Sequence, residues 1–423
     1  MNPHIEEAVA NLNAARGRYA KTERYYDGDH DLVFATQKFQ NTFGSLFREF
    51  ALNLCPAVCD AVRDKLKITG FSVDEAAGAG VDAVKRETRR IWHANAMATR
   101  AGEVHKEALK NGDAYVIVWP NAEGDVTIYP NRARSCTAVY DPEFPGRVIR
   151  AAKYWRGGDK RMRLNLFYAD RVEKYVCERP NESMTADAAA FVPFDDGTGA
   201  VVENPVGAVP VFHFANNADI GSPGRSEIDG AIPIQDGLNK SVLDMLVAME
   251  YSAFRQRWAV GIDMERDSTT GQSKELFETG PGKIWVSTSK EAKFGDFPAA
   301  DLEQFLKVKD GFRIDMASVT GTPLHYFLQN TRGFASGESL RKTETRFLAK
   351  VRDRQEAFGQ VWADVMQTAL KMSGIGAGAR LLTQWEDAAP ISDRERLENI
   401  VLKQQIGISV KQALAEAGYG VEE

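Results

Sequence analysis

The residue types that most often carry catalysis are present in this chain, but their spacing matches no familiar reactive site. The sequence has no GxxxxGK[ST] loop, whose backbone amides and lysine would hold a nucleotide phosphate. The glycine-rich run GIGAGA at 374–379 follows a predicted helix and not a strand, which favours a helix-ending linker over a dinucleotide-binding turn. We therefore predict no cofactor.

Two sets of potential metal ligands also fail on spacing. The run DGDHD at 27–31 alternates carboxylates as a calcium loop does, but Leu32 and Lys38 stand where such a loop needs glycine and glutamate. The six histidines show no HxxxH spacing and adjoin no cysteine pair. We predict a solvated turn at 27–31, no metal site and no catalytic residues, so the sequence favours a structural protein over an enzyme.

The composition is that of a folded protein of two or three domains, with 423 residues, 43% of them hydrophobic and 26% charged. The net charge of −6 argues against tight DNA binding by the whole surface, although not against contact with DNA that slides past. No run of 18 apolar residues and no signal peptide is present, so we expect no membrane partner. Four cysteines without a CxxC pair indicate a reduced, intracellular setting, namely Cys55, Cys59, Cys136 and Cys177.

Periodicity predicts a helical start, a β-rich middle and a helical second half. Apolar residues at spacings of three and four predict helices at 4–24, 45–66, 81–111, 232–257, 301–319 and 337–372. Short apolar runs from DAYVIVWP (113–120) and VTIYP (126–130) to about residue 216 predict a mixed, antiparallel-leaning β domain, with 184–200 as a surface loop. Further strands are predicted at KIWVS (283–287) and LLTQW (381–385), the latter followed by two helices separated by Gly407.

The stretch GRSEIDGAIPIQDGLNKSVLDM at 224–245 combines turn chemistry with polar groups at the start of a helix. Ser226 to Asp229 resembles a capping box, and Pro233 suits a first helical turn. Polar side chains at 235, 236 and 239 would be costly in an apolar core. They would pair with a neighbouring copy of the chain, or else form the wet face of an amphipathic helix in a monomer.

Residues 224–258 resemble the segment that joins wing to stem in portal proteins of double-stranded-DNA phages, the family typified by the portal of Bacillus phage SPP1. Other segments are also similar to that family, and all of them occur in the expected order along the chain. They are ALKNGDAYVIVW (108–119), TGTPLHYF (320–327), SGESLR (336–341) and a Phe-Gly-x-x-Trp cluster (358–362). The resemblance spans about residues 20–420, and its clear departure is a segment at 259–300 that is short for a clip domain.

The resemblance implies an α+β portal fold and a ring, usually of twelve subunits, at one capsid vertex. The ring would be the channel for genome packaging and ejection. Its implied partners are further copies of itself, the terminase, the major capsid and scaffolding proteins, a head–tail adaptor and double-stranded DNA. It would lie in the virion after assembly in the host cytoplasm. Another minor capsid or head-completion protein, and an enzyme within the capsid, remain the alternatives.

By position, the resemblance divides the chain into portal regions. The wing would be residues 1–227, helical and then β-rich from about 112, followed by a first stem helix at 228–258 and the clip at 259–300. A second stem helix with its connector would be 301–327, the tunnel loop and tunnel-side helix 328–372, and the distal wing strand and crown helices 373–423.

Three groups of residues are the implied functional sites. A DNA-facing tunnel loop would contain Asn330, Thr331, Arg332, Gly333, Phe334, Ala335 and Ser336, and Arg332 would supply a ring of cations with Phe334 beside it. The inter-subunit or channel face of the stem would contain Gln235, Asp236, Asn239, Lys240 and Asp244. Contacts of the clip with terminase or DNA would come from Arg255, Arg257, Lys283 and Lys290.

Overall fold

The computed structural model describes most of the chain. The described residues are 2–34, 41, 52–73, 80–179, 187–253, 257–261, 290–296, 301–328, 337–375, 378–389, 393–410 and 413–414.

Helices and strands follow each other as the periodicity indicated. The helices are α1 Pro3–Asp27, α2 Cys55–Arg63, α3 Val81–Ala94, α4 Met97–Asn111, α5 Ile232–Ala253, α6 Leu302–Thr320, α7 Gly337–Met372 and α8 Asp393–Gln405. The strands are β1 Ile68–Val73, β2 Asp113–Pro120, β3 Val126–Arg132, β4 Cys136–Tyr140, β5 Val148–Arg156, β6 Met162–Phe167, β7 Arg171–Cys177, β8 Phe191–Pro193, β9 Val201–Glu203, β10 Val211–Ala215, β11 Arg257–Val260, β12 Lys293–Asp296 and β13 Leu381–Trp385.

The chain forms two compact units. Unit 1 contains residues 1–15, 61–225 and 332–423, and unit 2 contains residues 16–60 and 226–331. Helices α1 and α2 each contribute to both.

Unit 1 is built on antiparallel sheets. A six-stranded sheet has the order β4-β5-β6-β7-β8, with β9 also paired to β7, and a three-stranded sheet has the order β10-β2-β3. Strands β1 and β13 form a separate pair. Every strand pair among the described residues is antiparallel, which confirms the antiparallel-leaning β domain.

The two faces of the six-stranded sheet bury different cores. On one face, Tyr154 and Leu164 pack with Ile5, Ala8 and Leu12, which recur along α1 at helical spacing. On the other, a cluster that includes Phe167 and Val172 packs against residues of β2 and β10, among them Ile117 and Val211. Strands β5, β6 and β7 contribute side chains to both cores from opposite faces, as period-2 patterning requires.

An aromatic cluster fastens α4 to α7 inside unit 1. Trp362 Nε1 donates to His105 Nε2 at 2.8 Å, and the fully buried His105 ring stacks on Phe358 with centroids 5.6 Å apart. Burial lowers the pKa of His105 to about 3, so the ring stays neutral and acts as an acceptor. This pairing satisfies Nε2, one of the two ring nitrogens of His105, whereas Nδ1 is buried without a hydrogen-bond partner among the described residues.

Gly112 and Gly224 allow two backbone segments of unit 1 to approach each other closely, just before residue 226. A Cβ placed on Gly224 would lie 1.9 Å from the Gly112 oxygen, so only glycine fits. The same junction is tied by Asp113, whose Oδ1 accepts from the Gly224 amide at 2.8 Å and lies 2.8 Å from His213 Nε2. Asn216 closes it with a side-chain bond of 2.7 Å to the Arg225 oxygen.

Unit 2 contains a helical pair and a small strand pair. Helices α5 and α6 pack together, and the absence of a side chain at Gly237 makes room for the Phe312 ring. Strand β11 pairs with β12 in an antiparallel register.

Five expectations need correction or narrowing. The helix predicted at 232–257 spans Ile232–Ala253 in its described part, and Arg257 already begins strand β11. The helix predicted over 81–111 is two helices, broken where Asn95 bonds to Ile91 and Ile128 and Ala96 adopts a φ of 52°. The loop predicted at 184–200 contains β8, which pairs with β7. The helix predicted at 45–66 begins, in its described part, at Cys55, which puts Pro56 in a tolerated first-turn position. The strand at 283–287 lies outside the described residues.

Candidate functional site

The start of α5 is set by a tight turn in unit 2. Ser226 Oγ accepts from the Ile228 amide at 3.2 Å, and the Ile228 oxygen accepts from Ala231 and Ile232. Ser226 therefore stabilises the turn that precedes the helix and does not cap the helix itself, which corrects the capping-box expectation. Pro233 lies in the first turn of α5, as predicted.

Gln235 is fully buried and ties α5 to the segment 52–54. Its Oε1 accepts from the Leu54 amide at 2.9 Å, and its Nε2 donates to the Leu52 oxygen. The same Nε2 donates to Asn239 Oδ1 at 3.0 Å, one turn further along the helix. One amide side chain thus satisfies two backbone groups of a segment that has no helical partner for them.

The bonding continues from Asn239 to the end of α1. Asn239 Nδ2 donates to His30 Nδ1 at 2.7 Å, and His30 Nε2 lies 3.0 Å from the Tyr25 oxygen. Tyr25 in turn donates its hydroxyl to Asp236 Oδ1 at 2.6 Å. With Nδ1 accepting and Nε2 donating, this pattern requires a neutral imidazole. We call Gln235, Asp236, Asn239, Tyr25 and His30 the launch network.

Burial shifts the pKa values of the launch network toward uncharged forms. It lowers the pKa of His30, although the Tyr25 oxygen and the Asp236 carboxylate act in the opposite direction. Burial also raises the pKa of the Asp236 carboxyl, although the hydrogen bond from Tyr25 acts to lower it. It also raises the pKa of Tyr25, to which the bond to Asp236 adds.

The predicted inter-subunit role of three stem residues is wrong for the side chains as placed. Gln235, Asp236 and Asn239 are buried within unit 2, and their amide and carboxylate groups bond inside the chain. A neighbouring subunit or channel water is not needed to satisfy them. The sequence flagged these residues correctly as unusual but assigned them the wrong partners.

Lys240 and Asp244 occupy a more open part of α5. They form an ion pair one turn apart, with 20% and 38% of the respective side chains exposed. Such a pair stabilises a helix by about 0.3–0.5 kcal/mol. Their contact with a neighbour or with the channel stays a prediction.

The remaining predicted sites lie mostly outside the described residues. This holds for the whole tunnel loop, 330–336, and for Arg255 and Lys283. Arg257 begins β11, where it pairs in register with Asp296, and Lys290 is exposed. At 27–31, Arg24 holds Asp29 at 2.9 Å and Asp31 at 2.6 Å near the surface, but His30 is buried, so the predicted solvated turn is only partly right.

Helix α6 carries the strongest indication of assembly. Four large apolar side chains, Leu306, Val308, Ile314 and Val319, are between 47% and 57% exposed. Val308 and Val319 are eleven positions, about three turns, apart and share one flank, whereas Leu306, two positions before Val308, lies on the opposite flank with Ile314. A helix that is apolar on both flanks of its packed face can be covered by two different neighbours.

Sequence reasoning missed Tyr25, His30 and the segment 52–54. His30 contacts a residue 209 positions away, and Tyr25 one 211 positions away. The available signal was the histidine within DGDHD, a stretch that the sequence predicted to be a solvated turn.

Comparison with known proteins agrees with these features. The family model described as "Phage portal protein, SPP1 Gp6-like" matches residues 6–422. The portal protein of Mycobacterium phage D29 is 26% identical over 350 residues, covering 78% of this chain and 67% of the relative. That of Mycobacterium phage L5 is 25% identical over 346 residues, with the same shares covered.

A solved structure has the same fold at low identity. A chain from the neck of an empty gene transfer agent particle, computed with C6 symmetry, matches with a TM-score of 0.51 and 13% identity, covering 92% of this chain and 96% of the other. Fold and family together define the class, the portal proteins of phage particles. The chain belongs to the SPP1 Gp6-like phage portal protein family.

Two further findings concern only the described part of the chain. It has no group of three or more His, Cys, Asp or Glu side chains arranged to hold a metal ion. None of its helices has both the length and the apolar character needed to cross a bilayer.

Proposed function

We propose that copies of this chain form a closed ring at one capsid vertex, and that the ring is the channel through which the double-stranded genome is packaged and ejected. The observation that supports this most directly is α6, with apolar side chains exposed on two opposite flanks. Exposed apolar patches mark interaction surfaces. A closed ring gives every subunit two neighbours that meet it with different surfaces, so each flank is covered once.

The finer assignments follow the regions expected from the sequence. Helices α5 and α6 would be the two stem helices, α7 the tunnel-side helix and residues 330–336 the tunnel loop, with Arg332 and Phe334 facing DNA. Lys240 and Asp244 would meet a neighbour or the channel, and Arg255, Arg257, Lys283 and Lys290 would contact terminase or DNA. The launch network would hold the start of α5 in place within unit 2.

The proposal includes twelve subunits, assembly in the host cytoplasm, and docking of the terminase, the capsid and scaffolding proteins and a head–tail adaptor. It assigns the chain no catalytic step. The family name supports the structural role. The structural neighbour comes from the neck of a particle, which supports a position at one capsid vertex.

Negative-stain electron microscopy of the purified chain, alone and co-expressed with its capsid and scaffolding proteins, tests the proposal. We expect annular particles with a central hole and a mass close to twelve chains. Shells would support a lattice-forming capsid protein instead. Single compact particles under both conditions would reject the ring.

A further inference from the structure

Helix α3 presents a stripe of positive charge on one side of unit 1. Its exposed side chains include Lys85, Arg86, Arg89, Arg90 and His93, and its four lysines and arginines face only two acids on the same helix. Glu87 accepts from Arg90, with contacts of 2.7 and 2.8 Å, and Asp82 is exposed in the first turn, three and four positions before Lys85 and Arg86. We call Lys85, Arg86 and Arg89, with His93, the basic stripe.

The opposite side of α3 holds the stripe in place. Val84, Thr88, Ile91 and Trp92 are buried, and the Trp92 ring meets Trp362 edge-on with centroids 5.5 Å apart. Because that face is anchored in the aromatic core, the basic stripe is a fixed surface and not a mobile tail. Its length from 85 to 93 is about 12 Å at 1.5 Å per residue.

Like charges within the basic stripe repel one another, and Asp82 in the first turn offsets part of this repulsion. Lys85 and Arg89 are four positions apart, as are Arg86 and Arg90, and like charges at this spacing destabilise a helix by about 0.2–0.5 kcal/mol per pair. No described residue forms an ion pair with Lys85, Arg86 or Arg89. A bound polyanion would convert this repulsion into attraction.

The surface chemistry favours nucleic acid over an acidic protein. Protein interfaces are organised around a buried apolar or aromatic centre. No large apolar side chain is exposed anywhere along α3, all of which is described. Interfaces with DNA are instead strongly positive and polar. Over about 12 Å, duplex DNA presents about seven phosphate charges to such a stripe.

We propose that the basic stripe of α3 binds the phosphate backbone of duplex DNA without sequence preference. The proposal rests on the proposed function only in that a genome conduit meets duplex DNA. The negative charge of the whole chain limits the binding to this patch, so contact is weak and reversible. Such contact suits DNA that must move.

The test compares two triple variants of the full chain with matched charge loss. One is Lys85→Ala with Arg86→Ala and Arg89→Ala; the control is Arg147→Ala with Lys160→Ala and Arg161→Ala, three exposed cations elsewhere in unit 1. Fluorescence anisotropy with a labelled random-sequence duplex is recorded from about 50 to 200 mM salt. We expect the stripe variant to reduce the slope of log K against log salt by about 2–3, and the control to reduce it by less than about 1.

Three outcomes would overturn the inference: no binding by the wild-type chain at low salt, equal losses in both variants, or no loss in the stripe variant. Electron microscopy of the stripe variant separates this from the ring itself. Rings that form normally but bind DNA as the wild type does reject the stripe and leave the proposed function intact. Absence of rings from the wild-type chain rejects the proposed function.

Discussion

Individual side chains in the launch network determine how the start of α5 packs in unit 2. Gln235 bonds to Leu52 and Leu54, and Asn239 bonds to His30. A buried amide left without partners costs about 1–3 kcal/mol, so these residues specify one arrangement of three distant segments. The sequence alone identified Gln235 and Asn239 as out of place in an apolar helix, but no local pattern names a partner about 200 positions away.

His30 makes the stability of unit 2 dependent on pH. Its pKa is lower in the folded chain than in the unfolded one, because burial disfavours the imidazolium. As the pH falls below about 6.5, the unfolded chain takes up a proton that the folded chain resists, and the free energy of unfolding decreases. Asp236 acts in the opposite sense, since its raised pKa lets the folded state keep its proton as the pH rises above about 4.

Urea unfolding of wild type and His30→Gln at pH 7 and pH 5 measures this effect. The wild type should lose up to about 1.4 kcal/mol more than the variant for each unit by which the His30 pKa differs between states. His93→Gln, which removes an exposed histidine, is the control and should keep the wild-type dependence. The same pH dependence in His30→Gln and wild type would contradict a buried neutral His30.

At the scale of elements, apolar periodicity predicted most helices and strands, whereas tertiary contacts determined where the remaining elements begin and end. The long stripe of apolar residues predicted α7 over its whole length. Continuous periodicity across 81–111 concealed a break, because the side chain of Asn95 bonds to the backbone of Val126 and Ile128. The sequence predicted that strand, but it did not predict its contact with Asn95. β8 was missed because three residues are too few to show alternation.

The junction between β2 and residue 224 depends on glycine. Replacing Gly224 by alanine forces its Cβ against the Gly112 backbone oxygen, so the backbone must move and Asp113 loses its bond to the residue-224 amide. We expect Gly224→Ala to lower the free energy of unfolding by more than about 3 kcal/mol or to abolish soluble expression.

Gly158→Ala is the control, because a Cβ there meets nothing within 4 Å. It should change the free energy of unfolding by less than about 0.5 kcal/mol. Thermal and urea unfolding of both variants decide the matter, and a Gly224→Ala chain as stable as Gly158→Ala would show that the close approach is not required.

For the whole molecule, the family resemblance read from ordered motifs was confirmed by the match over residues 6–422. Composition and charge argued against a membrane protein and against tight DNA binding by the whole surface. The sequence could not indicate assembly, because an apolar stripe does not reveal whether the chain itself or another copy covers it. The structure separates these cases for α6. Met316 and Thr320 are buried within the chain, whereas Leu306, Val308, Ile314 and Val319 are not.

The most direct measurement is the assembled mass of α6 variants. Val308→Asp with Val319→Asp places two charges on one flank, whereas Gln304→Asp with Ser318→Asp places two charges at exposed polar positions of the same helix. Mass photometry, with circular dichroism to verify folding, should find the control assembled like the wild type and the flank variant reduced to folded single chains. A flank variant that forms the same closed particles as the wild type would contradict the claim that sister copies cover α6.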